Sequence, residues 1–326
     1  MKLLKPTSAY EIAERTISSI EKERSGIQQG LCTRYTKLNN AFRKYMRFGN
    51  VNLFAGLSGS GKSTFLNIIT TDFLGFRNEN NVNYNIDFVP IVFSFCLEMS
   101  PVDELVRSLS QELDLTYNYI FSSELENSTY RKLSDEDFNV IIKRISTRTR
   151  DNILYFEQGG TVDDIYNTCI TYINYYLEIN SNYRFIINID HTLLIDKSKD
   201  EISNLDTMSN LGKKSINLAK HSNSYVMVNL LGQLNNNIET SLRKTNATLH
   251  YPQKSDIYAQ AQLYNACDNV GIIHRPEYIG IKNYGIRKLE TAKLIHYLHI
   301  KSRFGKLGSI WFKEDFAKSN LICFEP

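Results

Sequence analysis

The chain has 326 residues, of which 42% are hydrophobic and 22% are charged. This length and composition are typical of a folded globular protein with a sizeable core, and they exclude a disordered or collagen-like chain. Thirty-eight basic and 35 acidic residues leave a net charge of +3, which excludes an obligately basic nucleic-acid packing protein but permits a nucleic-acid site confined to a few loops.

A first helix is predicted over residues 8–24, SAYEIAERTISSIEKER. Its apolar residues recur at helical spacing among charges, and Ser8 is a candidate N-cap with Glu11 three residues later. The apolar stripe consists of Ile12, Ile17 and Ile20. A helix of this length is marginal alone in water, so the stripe needs a partner, either the protein's own core or a neighbouring subunit.

From residue 51 onward, short apolar runs alternate with helical patterns, which is typical of an α/β fold with a mostly parallel sheet and helices on both faces. The predicted strands are 51–55, 89–95, 153–156, 185–189, 225–231, 270–274 and 294–300. The predicted helices are 62–71, 101–113, 134–145, 161–177, 206–221 and 255–266. Two of these helix starts have the spacing of a capping box, Ser134 with Asp137 and Thr161 with Asp164.

Residues 56–63, GLSGSGKS, match G-x-x-x-x-G-K-[ST] between an apolar strand and a helix. Glycines let such a loop curl so that backbone N–H groups point at phosphate oxygens, and the helix N-terminus adds positive partial charge. Lys62 is expected to bridge the β- and γ-phosphates, and Ser63 to ligate Mg²⁺. The alternative is a glycine-rich turn with a surface lysine. The candidate nucleotide-binding residues are Gly56, Ser58, Gly59, Ser60, Gly61, Lys62, Ser63 and Thr64.

Two carboxylates follow strands that are expected to end at the same sheet edge as this loop. Asp190 ends the run 185–189, at the position where a carboxylate holds hydrated magnesium, unless it only caps the next element. Glu98 follows the strand 89–95, and a glutamate there can orient and deprotonate a water in line with the γ-phosphate. The alternative for Glu98 is a surface charge favoured by a helix dipole.

These elements together resemble the hexameric replicative DNA helicases of the DnaB family, whose motor domain is a RecA-like P-loop NTPase. Residues 93–100, FSFCLEMS, resemble the family's strand ending in S-L-E-M and put Glu98 on its catalytic glutamate. Residues 230–235, LLGQLN, resemble L-S-Q-L-N and put Gln233 on the glutamine that senses the γ-phosphate. Residues 255–268 keep the spacing of the family's S-D-L…A-D segment.

The last element of the resemblance is residues 301–308, KSRFGKLG, which are similar to K-x-R-x-G-x-x-G. In that family the two basic residues, here Lys301 and Arg303, reach into the ATP site of the next subunit and stabilise the transferring phosphate. The alternative is a solvated basic strand end. The resemblance implies ATP and Mg²⁺ as cofactors, with residues 1–25 as an N-terminal linker helix and 26–326 as the motor domain. It also implies a compact, phage-encoded helicase without the family's larger N-terminal domain.

The sequence departs from the family at two places. His191 follows Asp190 where the family usually has Tyr, and we expect neutral imidazole to hydrogen-bond as a phenol does rather than ligate metal. The family's DNA-contacting R-E-S-G becomes YAQA at 258–261, so the arginine contact to phosphate is lost. Candidate replacements are Lys197, Lys199, Arg243 and Lys244, with Tyr258 stacking on a base and with His250 and Tyr251 adding stacking.

The five cysteines are odd in number, widely spaced and without a C-x-x-C pair. This pattern predicts free thiols in a reducing compartment rather than disulfides or a zinc site. The N-terminus lacks the apolar stretch of a signal peptide, and no run approaches the roughly 18 apolar residues of a membrane span. We therefore expect a cytoplasmic protein, in the host cytoplasm if the gene is a phage's, without a membrane anchor.

The function that follows is an ATP-dependent ring helicase that translocates on single-stranded DNA and unwinds duplex at a replication fork. Its expected partners are single-stranded DNA, further copies in a hexamer, and a helicase loader or primase. Two alternatives stay open at this point. One is a recombination ATPase of the RecA/RadA type, and the other is a regulatory RecA-like ring ATPase that assembles without unwinding.

Overall fold

The structure is a computed structural model that describes residues 6–75, 85–123, 131–148, 152–223 and 225–326. Its strands are β1 (Gly30–Leu31), β2 (Met46–Arg47), β3 (Val51–Gly56), β4 (Val89–Cys96), β5 (Ile153–Phe156), β6 (Tyr183–Asp190), β7 (Val226–Gln233), β8 (Asn269–His274), β9 (Asn283–Tyr284), β10 (Leu289–Glu290), β11 (Leu294–Ser302), β12 (Gly308–Asp315) and β13 (Asn320–Phe324). Its α-helices are α1 (Ala9–Arg24), α2 (Thr36–Ala41), α3 (Lys62–Phe73), α4 (Pro101–Leu113), α5 (Tyr117–Ile120), α6 (Asp135–Arg148), α7 (Val162–Ile179), α8 (Asn204–Ala219), α9 (Ser241–Thr245) and α10 (Gln260–Ala266).

Nine strands form one mixed sheet in the order β13-β12-β11-β8-β3-β7-β6-β4-β5. The strands from β8 to β5 in this order are all parallel, whereas β11, β12 and β13 are antiparallel to their neighbours. The expected mostly parallel sheet is therefore confirmed. Because β3, β7, β6 and β4 are parallel neighbours, their carboxyl ends meet at one edge of the sheet.

Both faces of the sheet are buried under helices. Successive side chains of a strand point to opposite faces, so Leu53 of β3 packs in one cluster and Phe54 in the other. The first cluster includes apolar residues of α7, α8 and α10, and the second includes those of α3. The helices that the periodic pattern predicted on both faces are thus confirmed.

Two of the differences from the sequence prediction lie near the end of the phosphate-loop strand. The helix predicted over 255–266 begins only at Gln260, because Ala259 adopts the left-handed conformation with φ of 52° and interrupts it after a short 3₁₀ turn. The C-terminal hairpin of β12 and β13 was not predicted, since its strands are only partly buried and lack a clean alternation of apolar residues. The connection between these two strands lines a cavity beside residues 58–64.

Helix α1 forms over the predicted residues, and its backbone N–H at Glu11 donates to the capping hydroxyl of Ser8 at 3.1 Å. None of its residues is buried. The stripe residues Ile12, Ile17 and Ile20 are 49%, 57% and 54% exposed. Of the two partners that the stripe was expected to need, the protein's own core does not provide one within the part of the chain that the structure describes.

Four asparagines form a hydrogen-bonded chain through the centre of the sheet. Asn269 donates to Asn52, Asn52 to Asn229 and Asn229 to Asn188, each at 2.9 Å. Asn188 then donates to Thr70 Oγ1 of α3 at 2.8 Å. All four asparagines are at most 3% exposed. Each buried amide in this chain is therefore satisfied by its neighbour, which is the condition for tolerating polar groups in a core.

All five cysteines are free, as their spacing predicted. Four of them are buried, and only Cys323 is exposed. Among the described residues, no helix combines the length and the hydropathy that crossing a membrane requires.

Candidate active site

The phosphate-binding loop connects the end of β3 to the start of α3. Gly59 and Gly61 have φ of 70° and 92°, a region that residues with a side chain rarely adopt. A Cβ at Gly59 would lie 2.9 Å from the ring of Tyr278, and one at Gly61 would lie 3.0 Å from the ring of Phe316. The Lys62 amine is buried and donates to the carbonyl of Leu57 at 2.8 Å. The loop thus has the curled form that the motif predicted.

Asp190 lies at the carboxyl end of β6, opposite Cys96 of β4, and is in hydrogen-bonding contact with Ser63. Burial raises the pKa of the Asp190 carboxyl to about 6; the Ser63 hydrogen bond opposes this effect, while Glu98 and Glu104 add to it. Its Oδ1 atom is buried and has no hydrogen-bond partner within the described residues. A hydroxyl beside an unsatisfied carboxylate oxygen is a suitable ligand set for Mg²⁺, which prefers oxygen donors.

Glu98 follows β4 and is exposed at the mouth of a cavity of about 600 Å³ that also includes Lys62 and Ser63. Burial lowers the pKa of the Lys62 amine, and the negative charges of Asp190 and Glu98 oppose that shift. Both carboxylates therefore lie within electrostatic reach of this lysine. The structure brings together the loop, the strand-end aspartate and the glutamate that the sequence singled out.

Gln233 is the last residue of β7, and in the parallel register it lies opposite Gly56, where the phosphate-binding loop starts. Because β7 lies between β3 and β6, Gln233 also neighbours the strand of Asp190. Its carbonyl accepts the backbone N–H of Tyr258 at 2.9 Å. Gln233 therefore connects the phosphate site directly to the segment that aligns with the family's DNA-contacting loop.

Four further residues around the cavity were missed at the level of sequence: Tyr117, Arg107, Arg275 and Phe316. Arg275 follows β8 and its guanidinium lies 5.0 Å from the centre of the Phe316 ring and 3.2 Å from a carboxylate oxygen of Glu314. Arg275 directly follows β8, which is parallel to β3. The rule that the carboxyl ends of parallel strands meet at the site, which placed Asp190, therefore applies to Arg275 as well. Phe316 belongs to the unpredicted hairpin and had no sequence signal.

Glu104 of α4 is a buried carboxylate close to Asp190. Its oxygens accept from Ser94 Oγ at 3.0 and 3.1 Å and from Cys96 Sγ at 2.8 Å. Burial raises the pKa of Glu104, although these hydrogen bonds oppose the shift. Glu104 and Asp190 line a small cavity beneath Ser63, so a second negative charge lies behind the candidate metal site.

Lys301 and Arg303 lie at the other end of the strands from the phosphate loop, close to where β3 begins. Lys301 Nζ donates to the carbonyl of Tyr264 at 2.6 Å, and Arg303 Nε lies 3.1 Å from Oδ1 of Asp268. The other oxygen of Asp268 accepts the N–H of Val51, the first residue of β3. Since β3 rises ~3.3 Å per residue, its two ends are roughly 17 Å apart. Neither basic residue is placed to reach the phosphate loop of its own subunit.

The candidate DNA-contacting residues fall into two groups. Lys197 and Lys199 are exposed after β6, as expected for loop cations. Arg243 differs from that expectation, because its guanidinium forms two hydrogen bonds to Asp256, at 2.9 and 3.2 Å, and its side chain is only 14% exposed. The arginine is therefore committed to holding its own loop.

The remaining candidates are partly or wholly buried. Lys244 is half-buried, and Tyr258 packs against the core. His250 is 4% exposed and Tyr251 packs edge-on against Tyr284. The expected stacking of His250 on a base is wrong for this conformation, because its ring is enclosed by the chain itself, whereas Tyr251 is only partly buried and its stacking stays a prediction.

A protein-family model described as the DnaB-like helicase C-terminal domain matches residues 30–320. A solved structure of an ATPase domain is similar, with a TM-score of 0.75 at 18% identity over 98% of this chain and 100% of that one. A DnaB-like replicative helicase, studied with its interactions with primase, has a TM-score of 0.71 at 19% identity over 98% of this chain and 68% of its own. No curated protein matches the sequence significantly.

Proposed function

Because the chain belongs to the DnaB-like helicase family and is therefore an ATP-dependent DNA helicase, we propose that it works as a closed hexameric ring in which each ATP site is completed by the next subunit. The observation that carries this proposal is the position of Lys301 and Arg303, across the sheet from their own phosphate loop. The family match favours this function over a recombination ATPase and over a regulatory ring without unwinding.

Nucleotide binding rests on the loop and on α3. The amides from Gly59 to Ser63 would hold the phosphates, and the Lys62 amine would leave the Leu57 carbonyl to bridge the β- and γ-phosphates. Ser63 and Asp190 would hold Mg²⁺, which neutralises negative charge on the phosphate oxygens when bound. Phe316 and Tyr117 supply aromatic surface in the lining of the same cavity, where a base can pack.

Hydrolysis needs a base that accepts a proton from the attacking water. Glu98 is exposed in the cavity, whereas Asp190 and Glu104 are buried behind it. Glu98 is therefore the carboxylate placed to accept that proton while oxygen attacks the γ-phosphorus in line. Gln233, at the end of the strand next to that of the phosphate loop, would contact the γ-phosphate and pass its presence to residue 258 through the backbone hydrogen bond.

The neighbour's basic residues would complete the transition state. Arg303 is 54% exposed in its ion pair with Asp268, whose carboxylate is only 13% exposed. The guanidinium is therefore half in solvent, where the phosphates of a neighbouring ATP site can compete for it. Asp268 keeps the N–H of Val51 as a partner after the exchange, which partly offsets the loss of its cation.

Helix α1 is the proposed link between subunits. Its exposed stripe of Ile12, Ile17 and Ile20 needs an apolar partner that the described residues of its own chain do not provide. We assign residues 1–25 to a linker arm that packs on the next subunit and residues 26–326 to the motor domain. Burial of this stripe would hold the ring closed before nucleotide or DNA binds.

Single-stranded DNA is the proposed track, and it would run through the ring past Lys197, Lys199 and the backbone near Tyr258. Exposed lysines on repeated subunits attract phosphates without reading sequence. Arg243 would act by fixing the neighbouring loop through Asp256 rather than by contacting phosphate itself. A helicase loader or a primase is the expected protein partner.

The test is to measure ATP hydrolysis by the purified chain with and without single-stranded DNA, together with unwinding of a forked duplex. We expect DNA to stimulate hydrolysis and the fork to be opened only when ATP and Mg²⁺ are present. A Lys62→Ala variant is the control, since it removes phosphate binding. Robust hydrolysis without any unwinding would instead favour the regulatory ring.

A further inference from the structure

His191 occupies a defined position next to the phosphate site. It follows Asp190 and is only 6% exposed. Its Nδ1 accepts the backbone N–H of Leu193 at 3.2 Å, at the start of a 3₁₀ turn over Thr192–Leu194. A ring nitrogen that accepts a hydrogen bond carries no proton, so the neutral imidazole has its proton on Nε2. The turn therefore fixes the tautomer and leaves Nε2–H as the free donor.

His191 lies beside the end of β7. In the parallel register of β6 and β7, Ile189 pairs with Leu230, and Thr192 Oγ1 donates to the carbonyl of Leu231 at 2.9 Å. Burial lowers the pKa of the His191 imidazole, and the positive charge of Lys62 lowers it further, while Glu98 and contact with the Gln233 carboxamide oppose these effects. Because Nδ1 is occupied by Leu193, the contact with Gln233 is made through Nε2. Within the described residues Nε2 is buried and has no well-formed hydrogen bond, so this contact is loose in the present conformation.

A carboxamide needs an external partner to fix its orientation. Its oxygen and nitrogen ends are nearly the same size, so packing alone does not decide which end faces a ligand. Only the NH₂ end can donate to a γ-phosphate oxygen, whereas the oxygen end would repel it. A donor held on the oxygen side selects the productive orientation, and His191 Nε2–H is a buried donor, unpaired among the described residues, beside the end of β7, the strand that carries Gln233.

We propose that His191 is a positioning residue whose Nε2–H donates to Oε1 of Gln233 and so turns the amide NH₂ toward the γ-phosphate. This inference rests on the proposed role of Gln233 as the γ-phosphate contact. In this proposal the hydrogen bond shortens when nucleotide fills the cavity. His191 thereby holds the Gln233 carboxamide in one orientation. His191 itself touches neither substrate nor metal in this account.

Two substitutions of His191 separate its two ring nitrogens. In His191→Gln the side-chain nitrogen reaches the place of Nε2, and in His191→Asn the amide reaches only the place of Nδ1. We expect His191→Asn to lower kcat for ATP by about 10- to 100-fold with KM changed less than about threefold, because a misplaced group costs turnover more than binding. His191→Gln is expected to keep kcat within about threefold of the wild type. Thermal unfolding of both variants checks that they fold alike.

The decisive comparison uses Gln233→Ala as background. If His191 acts through Gln233, adding His191→Asn to Gln233→Ala lowers kcat no further. An equal loss in both backgrounds, or equal losses in His191→Asn and His191→Gln, would overturn the positioning role. Wild-type kcat in Gln233→Ala alone would refute the γ-phosphate role of Gln233 and, with it, this inference. A large loss in Gln233→Ala with none in His191→Asn would refute the inference alone.

Discussion

The Arg303 guanidinium forms an ion pair with Asp268, with Nε and Oδ1 3.1 Å apart, at the sheet edge opposite the phosphate loop. In the ring proposed above, this pair is the resting state of a group that works in the neighbouring subunit. The pair links assembly to catalysis, because the phosphates of a neighbouring ATP site would compete with Asp268 for the guanidinium.

Replacing Arg303 by Ala should separate catalysis from stability. Asp268 is only 13% exposed but keeps the N–H of Val51, so loss of the pair should lower the free energy of unfolding by about 1–3 kcal/mol. Loss of a basic group supplied to a transferring phosphate should lower kcat by about 10³-fold. Steady-state ATPase assays and urea unfolding measure the two effects, and the exposed Arg287→Ala is the matched control. An Arg303→Ala variant as active as wild type would contradict the trans role.

The asparagine chain predicts a large stability cost for one buried polar deletion. Asn229→Leu removes the acceptor for Asn52 and the donor for Asn188, both of them buried. Leaving these groups unsatisfied should lower the free energy of unfolding by about 2–4 kcal/mol. Denaturant unfolding of Asn229→Leu, with the exposed Asn204→Leu as control, checks this value. Equal stability of the two variants would show that the chain of amides is dispensable.

Acid should destabilise the fold through three core histidines. Burial lowers the pKa of His274 and His296 to about 3 and that of His299 to about 4. In the unfolded chain these histidines have an ordinary pKa of about 6.5. Below that pH the unfolded chain therefore binds more protons than the folded protein does. The contribution of the buried neutral histidines to the free energy of unfolding is therefore fully present above pH 6.5. It is lost as pH falls toward their pKa values in the folded protein, by about 2 kcal/mol per histidine at pH 5.

Unfolding free energies at pH 7.5, 6.5 and 5.5 measure this effect, and His274→Phe should flatten the dependence by removing one titrating ring. The raised pKa of Asp190 acts in the opposite sense, because its contribution to stability is lost as pH rises through about 6. Asp190→Asn removes that opposing contribution. If the free energy of unfolding does not fall between pH 7.5 and 5.5 in the wild type or in Asp190→Asn, the histidine account is contradicted.

Magnesium dependence should follow the protonation of Asp190. Because its pKa is raised to about 6 by burial, the carboxylate needed for Mg²⁺ is mostly present at pH 7.5 and mostly lost at pH 5. The Mg²⁺ concentration for half-maximal nucleotide binding should therefore rise as pH falls through 6. Titrating Mg²⁺ against a fluorescent ATP analogue tests this. The same pH dependence in Asp190→Asn would assign the effect to another group.

Much of the active site followed from one topological rule applied to the sequence. Residues that end parallel strands meet at one edge, so Asp190 could be placed beside the phosphate loop from strand patterns alone, whereas Gln233 was identified by the resemblance of residues 230–235 to a family motif. Phe316 could not be placed, because its hairpin packs only half of each strand and leaves a mixed pattern. Arg243 was misjudged because its partner Asp256 lies 13 residues away, and such pairing depends on loop geometry that periodicity does not encode.

Mixing two inactive variants gives the most direct test of the shared ATP site. Lys62→Ala lacks the phosphate contact in its own loop, and Arg303→Ala lacks the group donated to its neighbour. In a random equal mixture, about a quarter of the interfaces join an intact loop to an intact arginine. The account predicts that the mixture regains ATPase activity that neither variant has alone. No recovery in rings shown by native mass spectrometry to contain both variants would contradict it.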